Sequence, residues 1–277
     1  MFDPARHPSP ARGVLRSAMP NGVLEGRRLL PGPLLAGHVH HLWSVRWALA
    51  SPYLVDVLPH PVAQIRYEER AGRCKAELWG VHSGRVVKRL RGDGRLFGVS
   101  FQPAMFQPLY GKPMASLTDR VVPLADVFGA RADEWARALQ AAHPLEEELR
   151  VTEEFLAPLL GPISDELALL RQLIEQMATR RELLSVGDCC RLSGLSLRAL
   201  QRSFRDHVGV SPKWVLRRYR LHDAALELAK PNPPQLAALA AELGYADQAH
   251  FQRDFKRATG RTPRSFTQGF KGLRPAQ

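Results

Sequence analysis

The sequence predicts an α+β chain in which a β-rich N-terminal domain, a small sandwich or cupin-like barrel, precedes an all-α domain. Three observations carry this. From His38 to Phe101 apolar residues recur at every second position, and from Ala104 onward they recur at helical spacing. The last third of the chain also writes one short pattern twice, 51 residues apart. At 277 residues there is material for two domains, each with its own core. The divisions fall at residues 1–28, a loose N-terminal arm; 29–162, the β-rich domain; and 164–272, the helical domain.

A net charge of +12 favours an anionic partner, nucleic acid first, although a merely soluble basic protein carries the same charge. The excess concentrates at the C-terminal end, where 19 basic residues stand against 11 acidic ones from Ser164 onward. Cys74, Cys189 and Cys190 are the only cysteines and form no CxxC pair, which argues against a disulfide framework and a four-cysteine zinc site. No run approaches the roughly 20 apolar residues of a membrane span. Residues 1–28 lack the apolar core of a signal peptide. A cytoplasmic protein with no membrane partner is expected.

Within the first domain, Val39, His41, Trp43, Val45 and Trp47 alternate with more polar residues, followed by Val55 and Val57, Ala63, Ile65 and Tyr67, then Phe97, Val99 and Phe101. That period predicts short strands with turns at Ser51-Pro52, Pro59 to Pro61, Ser83-Gly84 and Gly92-Asp93-Gly94. His38, His40 and His41, with His60 or His82, invite a metal reading, because alternation puts His38 and His40 on one face. No carboxylate follows within ten residues, so structural or surface histidines are preferred and no metal is expected. Trp43, Trp47, Tyr67, Trp79 and Phe101 are candidates for an effector pocket. The plainer reading is that these aromatics are core.

After Phe101 the pattern is helical in short pieces, Ala104 to Tyr110, Met114 to Leu117 and Leu124 to Phe128, each bounded by Pro or Gly. Asp133 to Ala142 and Pro144 to Leu160 make longer helices. The second carries Leu145, Leu149 and Leu156 on one stripe and five glutamates on the remainder, so it either caps the β domain or pairs with a second subunit. Gly161-Pro162 marks the boundary.

Ser164 caps the next helix, with Leu167, Leu170, Ile174 and Met177 as its apolar stripe. Ser185 begins a short helix ended by Ser193-Gly194, and Ser196 caps another running to about His207. Two helices joined by a tight Gly-containing turn form a helix-turn-helix. On it sits the duplicated pattern: Arg202-x-Phe204-Arg205, Gly209 and Ser211-Pro212 recur as Arg253-x-Phe255-Lys256, Gly260 and Thr262-Pro263. Leu197, Leu200 and Phe204 should face inward in the first copy, Phe251 and Phe255 in the second. Arg198, Gln201, Arg202 and Arg205 then face outward, as do Gln248, His250, Gln252, Arg253 and Lys256. Arg forks onto guanine and Gln onto adenine in the major groove, so these faces are candidate base-reading surfaces. A solvated polar face accounts for one copy alone but poorly for repetition of the whole unit.

Cys190 and Ala240 supply the small residue where the two helices of each unit cross; a redox role for Cys189-Cys190 is the alternative. Between the copies, Ser211 to Lys230 forms a rod of roughly 30 Å, comparable with the roughly 34–36 Å of one DNA turn. Its Arg217 and Arg218, with Arg205 and Lys256, are candidate phosphate contacts.

From about Ser185 to Phe270 the sequence resembles the DNA-binding domain of AraC/XylS-family transcriptional regulators. The resemblance rests on Gly194-Leu-Ser196-x-x-x-Leu200-Gln-Arg202-x-Phe204, on Arg220-Leu-x-x-Ala224, and above all on Gly244-Tyr-x-Asp-Gln-x-His-Phe251-x-Arg-x-Phe-Lys-x-x-x-Gly260-x-Thr-Pro263. It implies a double helix-turn-helix domain whose second helices read adjacent major grooves through Arg198, Gln201, Arg202, Gln248, His250, Gln252 and Arg253. Ser265-Phe266-Thr267 departs from the family's Tyr-Arg after the final proline. Leu96-Phe-Gly-Val-x-Phe101-x-Pro and Leu117-Thr-Asp-Arg-Val-Val-Pro-Leu124 resemble the regulatory domain of one group of these regulators, which implies effector binding or dimerisation.

The expectation is a sequence-specific regulator of promoter DNA and not an enzyme, with no cofactor and no catalytic residue. Its further partners would be a small-molecule effector, RNA polymerase and a second copy of the chain. Two alternatives stand beside it. One makes the N-terminal domain a protein-interaction module; the other makes it a DNA-repair domain with a reactive cysteine at Arg73-Cys74-Lys75.

Overall fold

The computed structural model describes Leu15 and residues 22–270, except the side chain of Phe270. Residues 22–28 of the expected arm belong to a strand; the rest of that arm, Leu15 apart, lies outside the described residues, as do positions 271 and 272 of the expected helical domain. The strands are β1 (Gly22–Leu29), β2 (Val39–Val57), β3 (Gln64–Arg70), β4 (Arg73–Trp79), β5 (Val86–Phe101) and β6 (Val121–Pro123). They form one antiparallel sheet in the order β1-β2-β5-β3-β4-β6. A β-rich unit therefore precedes a helical one, as the periodicities require.

Two expected turns are absent because β2 and β5 run through them. Their pairing passes from Leu49↔Gly92 to Tyr53↔Leu90 across an irregularity. That bulge accommodates Pro52, which has no N–H to donate to a regular ladder. Alternation puts Leu42, Ile65, Tyr67, Leu78, Phe97 and Val99 on one face, where they meet Leu139, Phe155 and Leu156 in the main core. Trp43 and Trp47 lie on the other face, flat over glycines. A Cβ at Gly98 would stand 2.1 Å from the Trp43 ring, and one at Gly94 2.2 Å from the Trp47 ring.

The helices are α1 (Gln107–Tyr110), α2 (Ala125–Phe128), α3 (Ala130–Ala141) and α4 (Leu145–Leu156), then α5 (Asp165–Thr179), α6 (Val186–Ser193), α7 (Leu197–Ser203), α8 (Pro212–Leu228), α9 (Leu236–Glu242), α10 (Gln248–Thr259) and α11 (Pro263–Phe270). Helix α4 buries Leu145, Val151, Phe155 and Leu156 against the sheet, so it caps the β domain.

The second domain has two cores that share one helix. Val215, Leu216 and Tyr219 of α8 join α5, α6 and α7; Leu221, Ala224 and Leu228 join α9, α10 and α11. Val81, Ala104 and Met105 enter the first of these cores, while Leu15 and Leu58 enter the second. Gly161-Pro162 thus separates the elements in sequence, yet the cores reach across it.

His41 lies on β2, where burial and then the Arg28 guanidinium hold its pKa well below its ordinary value, at about 2. The unfolded chain takes up this proton as pH falls below 6.5 while the folded chain does not, so the stabilisation is present above 6.5 and lost on acidification. Between pH 6.5 and about pH 5 this one group should remove about 2 kcal/mol. Thermal melting across that range should show the decline, and His41→Gln should flatten it; an unchanged slope in the variant would refute the assignment.

Candidate nucleic-acid interface

Each candidate reading helix is positioned by caps written in the sequence. In the first unit, Ser185 and Asp188 cap α6 reciprocally, the side chain of each taking a backbone N–H of the other. Gly194 ends α6 in the left-handed conformation, and Ser196 Oγ accepts from Ala199 N–H to start α7. In the second unit, Asp247 accepts from His250 N–H at 2.6 Å to start α10. Leu200, Phe204, Phe251 and Phe255 are fully buried, which fixes the roll of each helix.

The opposite faces are open. Arg198, Gln201, Arg202 and Arg205 are exposed in the first unit, as are Gln248, His250, Arg253 and Lys256 in the second. Gln252 is half-buried. Arg198, Arg202, Arg253 and Lys256 make no ion pair among the described residues, whereas Arg205 is held by Asp206 at 2.8 Å. His250 stacks edge-on against Tyr245, with ring centroids 5.2 Å apart. Four unpaired cations on two equivalent faces are suited to an anionic ligand, since no protein carboxylate competes for them.

The structure corrects several expectations. Leu197 does not face inward: at the first position of α7 it is 53% exposed, because the turn before it directs the helix start away from the core. Arg218 is not a phosphate contact in this conformation, being 3% exposed, stacked over Trp214 at 4.4 Å and donating to the Ser83 carbonyl. Burial lowers its pKa to about 10. Arg217 is likewise engaged, paired with Asp254. Cys189 is the fully buried member of the cysteine pair, its pKa pushed up to about 11 by burial, while Cys190 packs half-buried beside it.

The five aromatics proposed for an effector pocket do not converge. Tyr67 and Phe101 are in the main core, and Trp47 and Trp43 pack in a separate cluster on the other face. Trp79 stacks on Arg66, whose guanidinium carbon lies 3.9 Å from its ring centroid and 5.6 Å from that of Trp43. His38, His40, His41, His60 and His82 do not assemble a ligand set either: among the described residues no group of three or more His, Cys, Asp or Glu is placed to hold a metal ion.

Other features carry no local sequence signal. Asp254, 1% exposed, ties α10 to α8 through Arg217 and also takes Arg257 at 3.1 Å and the Tyr245 hydroxyl at 3.0 Å. At the equivalent place in the first unit stands Ser203, which donates to Glu166 of α5 at 2.8 Å. The N-terminal domain touches the turn after each reading helix. The Thr118 hydroxyl donates to the Gly209 carbonyl at 2.6 Å, and the Arg85 guanidinium, paired with Asp56 at 2.9 Å, lies against Gly260.

Residues 189–269 match the model of a family described as a helix-turn-helix domain, and residues 27–123 match one described as a domain of unknown function (DUF6597). The chain is 37% identical over 75 residues to the HTH-type transcriptional activator RhaS of Escherichia fergusonii, a stretch covering 27% of each protein. It is 33% identical over 85 residues to the activator RhaR of Yersinia pseudotuberculosis, covering 31% of this chain and 29% of that one. The chain thus spans under a third of the length of these relatives. ToxT of Vibrio cholerae matches in structure over 91% of this chain and 100% of its own, at 10% identity and a TM-score of 0.42.

Asp254→Ala removes the buried partner of Arg217 and Tyr245 and should destabilise the fold by roughly 2–3 kcal/mol, since breaking a buried pair strands the groups left behind. Urea denaturation measures this, with no more than 0.5 kcal/mol, the usual range of a surface change, expected for Arg253→Ala on the same helix.

Proposed function

We propose that this chain, whose residues 189–269 match a helix-turn-helix family model, is a sequence-specific DNA-binding transcriptional regulator of the AraC type. The observation that carries the reading is the pair of exposed, unpaired Arg and Gln faces at equivalent positions of a structural repeat, Arg198, Gln201 and Arg202 on α7 and Gln248, Arg253 and their neighbours on α10. Helix α8, 17 residues long, stands between them as one rigid element shared by both cores. In this reading α7 and α10 enter successive major grooves, guanidiniums meet guanine O6 and N7, and glutamine amides meet adenine. Lys256 and Arg205 contact phosphate. RNA polymerase and a second copy of the chain are further partners of the same reading, and the N-terminal domain, which rests on both reading-helix turns, controls it.

The exposed Leu197 adds a position. Side chains at the start of a helix in the major groove reach base edges, and an apolar one there suits the thymine methyl. The equivalent residue of the second unit is Gln248, so the two units present different chemistry at this place. The repair-enzyme alternative finds Cys74 exposed on β4, its sulfur accepting from the Tyr67 hydroxyl at 3.1 Å, and no group placed to hold a metal among the described residues.

Footprinting against the promoters adjoining the gene tests the proposal: protection of two segments one helical turn apart is expected, and binding no tighter to any promoter than to bulk DNA would sink it. On the protected site, Arg202→Ala and Arg253→Ala should each weaken binding by about 1–3 kcal/mol and relax discrimination at one base pair. Lys256→Ala should instead weaken binding to all DNA alike and flatten its salt dependence. If Leu197 reads a thymine methyl, replacing one thymine of the site by uracil should weaken wild-type binding and leave Leu197→Ala unaffected. Equal losses in both proteins would remove that contact.

A further inference from the structure

A cleft of about 460 Å³ opens at the β1 edge of the sheet. Its walls are Glu25 and Arg27 of β1, Ser44 and Arg46 of β2, and the turn from His143 to Leu145 that leads into α4. The antiparallel register pairs Glu25 with Arg46 and Arg27 with Ser44, so the four side chains share one face of the sheet.

The polar groups that face this cleft are nearly all donors. Ser44 is 5% exposed, and its hydroxyl makes no hydrogen bond among the described residues. Arg27 is exposed and makes no ion pair there. Arg46 uses one nitrogen, Nη2, on His143 Nδ1 at 2.8 Å and on Glu148 Oε1 at 3.3 Å, which leaves its other N–H groups open. His143 Nδ1 also accepts from Arg95 at 3.1 Å. A ring nitrogen that accepts from two guanidiniums carries the lone pair, so the proton sits on Nε2 and points away from them. Desolvation, then Arg95 and Arg46, lower the pKa of that imidazole and so favour its neutral form. Glu25 is the acceptor on the rim.

Two guanidiniums, a buried hydroxyl and an imidazole N–H around a concave space match an oxyanion, and the adjoining Glu25 matches a hydroxyl beside it. We propose that this cleft binds a small hydroxylated carboxylate, its carboxylate on Arg27 and Arg46 and a hydroxyl between Ser44 and Glu25. The cleft connects inward: Glu148, fully buried, takes Arg95 as well as Arg46, and Arg95 also holds the carbonyls of Leu139 and Ala142 at the end of α3. A ligand that draws Arg46 outward therefore acts on the joint between α3 and α4. That such a ligand is the effector of DNA binding rests on the function proposed above; occupancy of the cleft does not.

Isothermal titration of the full chain with gluconate, hexanoate and sorbitol separates the elements of the claim. Gluconate should bind, hexanoate should bind several-fold more weakly, and sorbitol should show no heat at about 10 mM. Arg27→Gln, which breaks no ion pair among the described residues, should weaken gluconate about tenfold with the melting temperature unchanged, and Ser44→Ala should weaken it in the same direction. Gluconate failing to bind at about 10 mM, sorbitol matching it, or Arg27→Gln binding as well as wild type would each overturn the proposal. Footprinting with and without gluconate is read separately: absence of promoter binding in both conditions would count against the regulator reading and not against the cleft.

Discussion

Helix α8 is buried nearly all round, and most of the helical domain is arranged by that fact. Pro212, Val215, Leu216, Tyr219, Leu221, Ala224 and Leu228 are withdrawn from solvent, divided between two cores, so neither helix-turn-helix unit can roll about α8 without unpacking it. Burial on so many sides also draws in Arg218, whose charge needs a partner where water cannot reach. The partner is the Ser83 carbonyl of the other domain, with Trp214 covering the guanidinium face. The rod between α7 and α10 is thereby fastened to the sheet domain through its most deeply buried charge.

Much of this was legible from residues alone. The doubled Phe-x-x-x-x-Gly spacing, the Ser and Asp caps and the outward Arg and Gln positions all depend on contacts within a few turns, which periodicity records. Strands β1 and β4 lack a clear period because GVLEGRRL and RCKAELW are largely open to solvent and interleave charge with apolar residues, which blurs alternation. Pro52 reads as a turn in sequence because a bulge in a long strand depends on its partner strand. Arg217 and Arg218 read as free to meet phosphate, because the groups that engage them, Asp254 and the Ser83 carbonyl, lie far away in sequence. The aromatics of the sheet were grouped by type, whereas the pleat divides them between opposite faces.

The two units also differ in how they are held, within one scaffold. Ser203 and Asp254 occupy equivalent positions on α7 and α10, but the first binds α5 through a neutral hydroxyl and the second binds α8 through a buried carboxylate. Helix α7 further ends in a π-turn from Phe204 to Val208, while α10 remains regular to Thr259. The candidate faces are alike in type, and the mechanical support behind them is not.

Gly209 and Gly260 both adopt positive φ, and both have a residue of the N-terminal domain where a side chain would otherwise stand, Thr118 and Met114 at one and Arg85 at the other. Grafting this helix-turn-helix module onto a foreign N-terminal domain would leave both turns facing surfaces that were never shaped for them. A working chimera of this protein would have to carry the segments around Arg85 and Thr118 along with α5 to α11, so the exchangeable unit is larger than the domain its family model outlines.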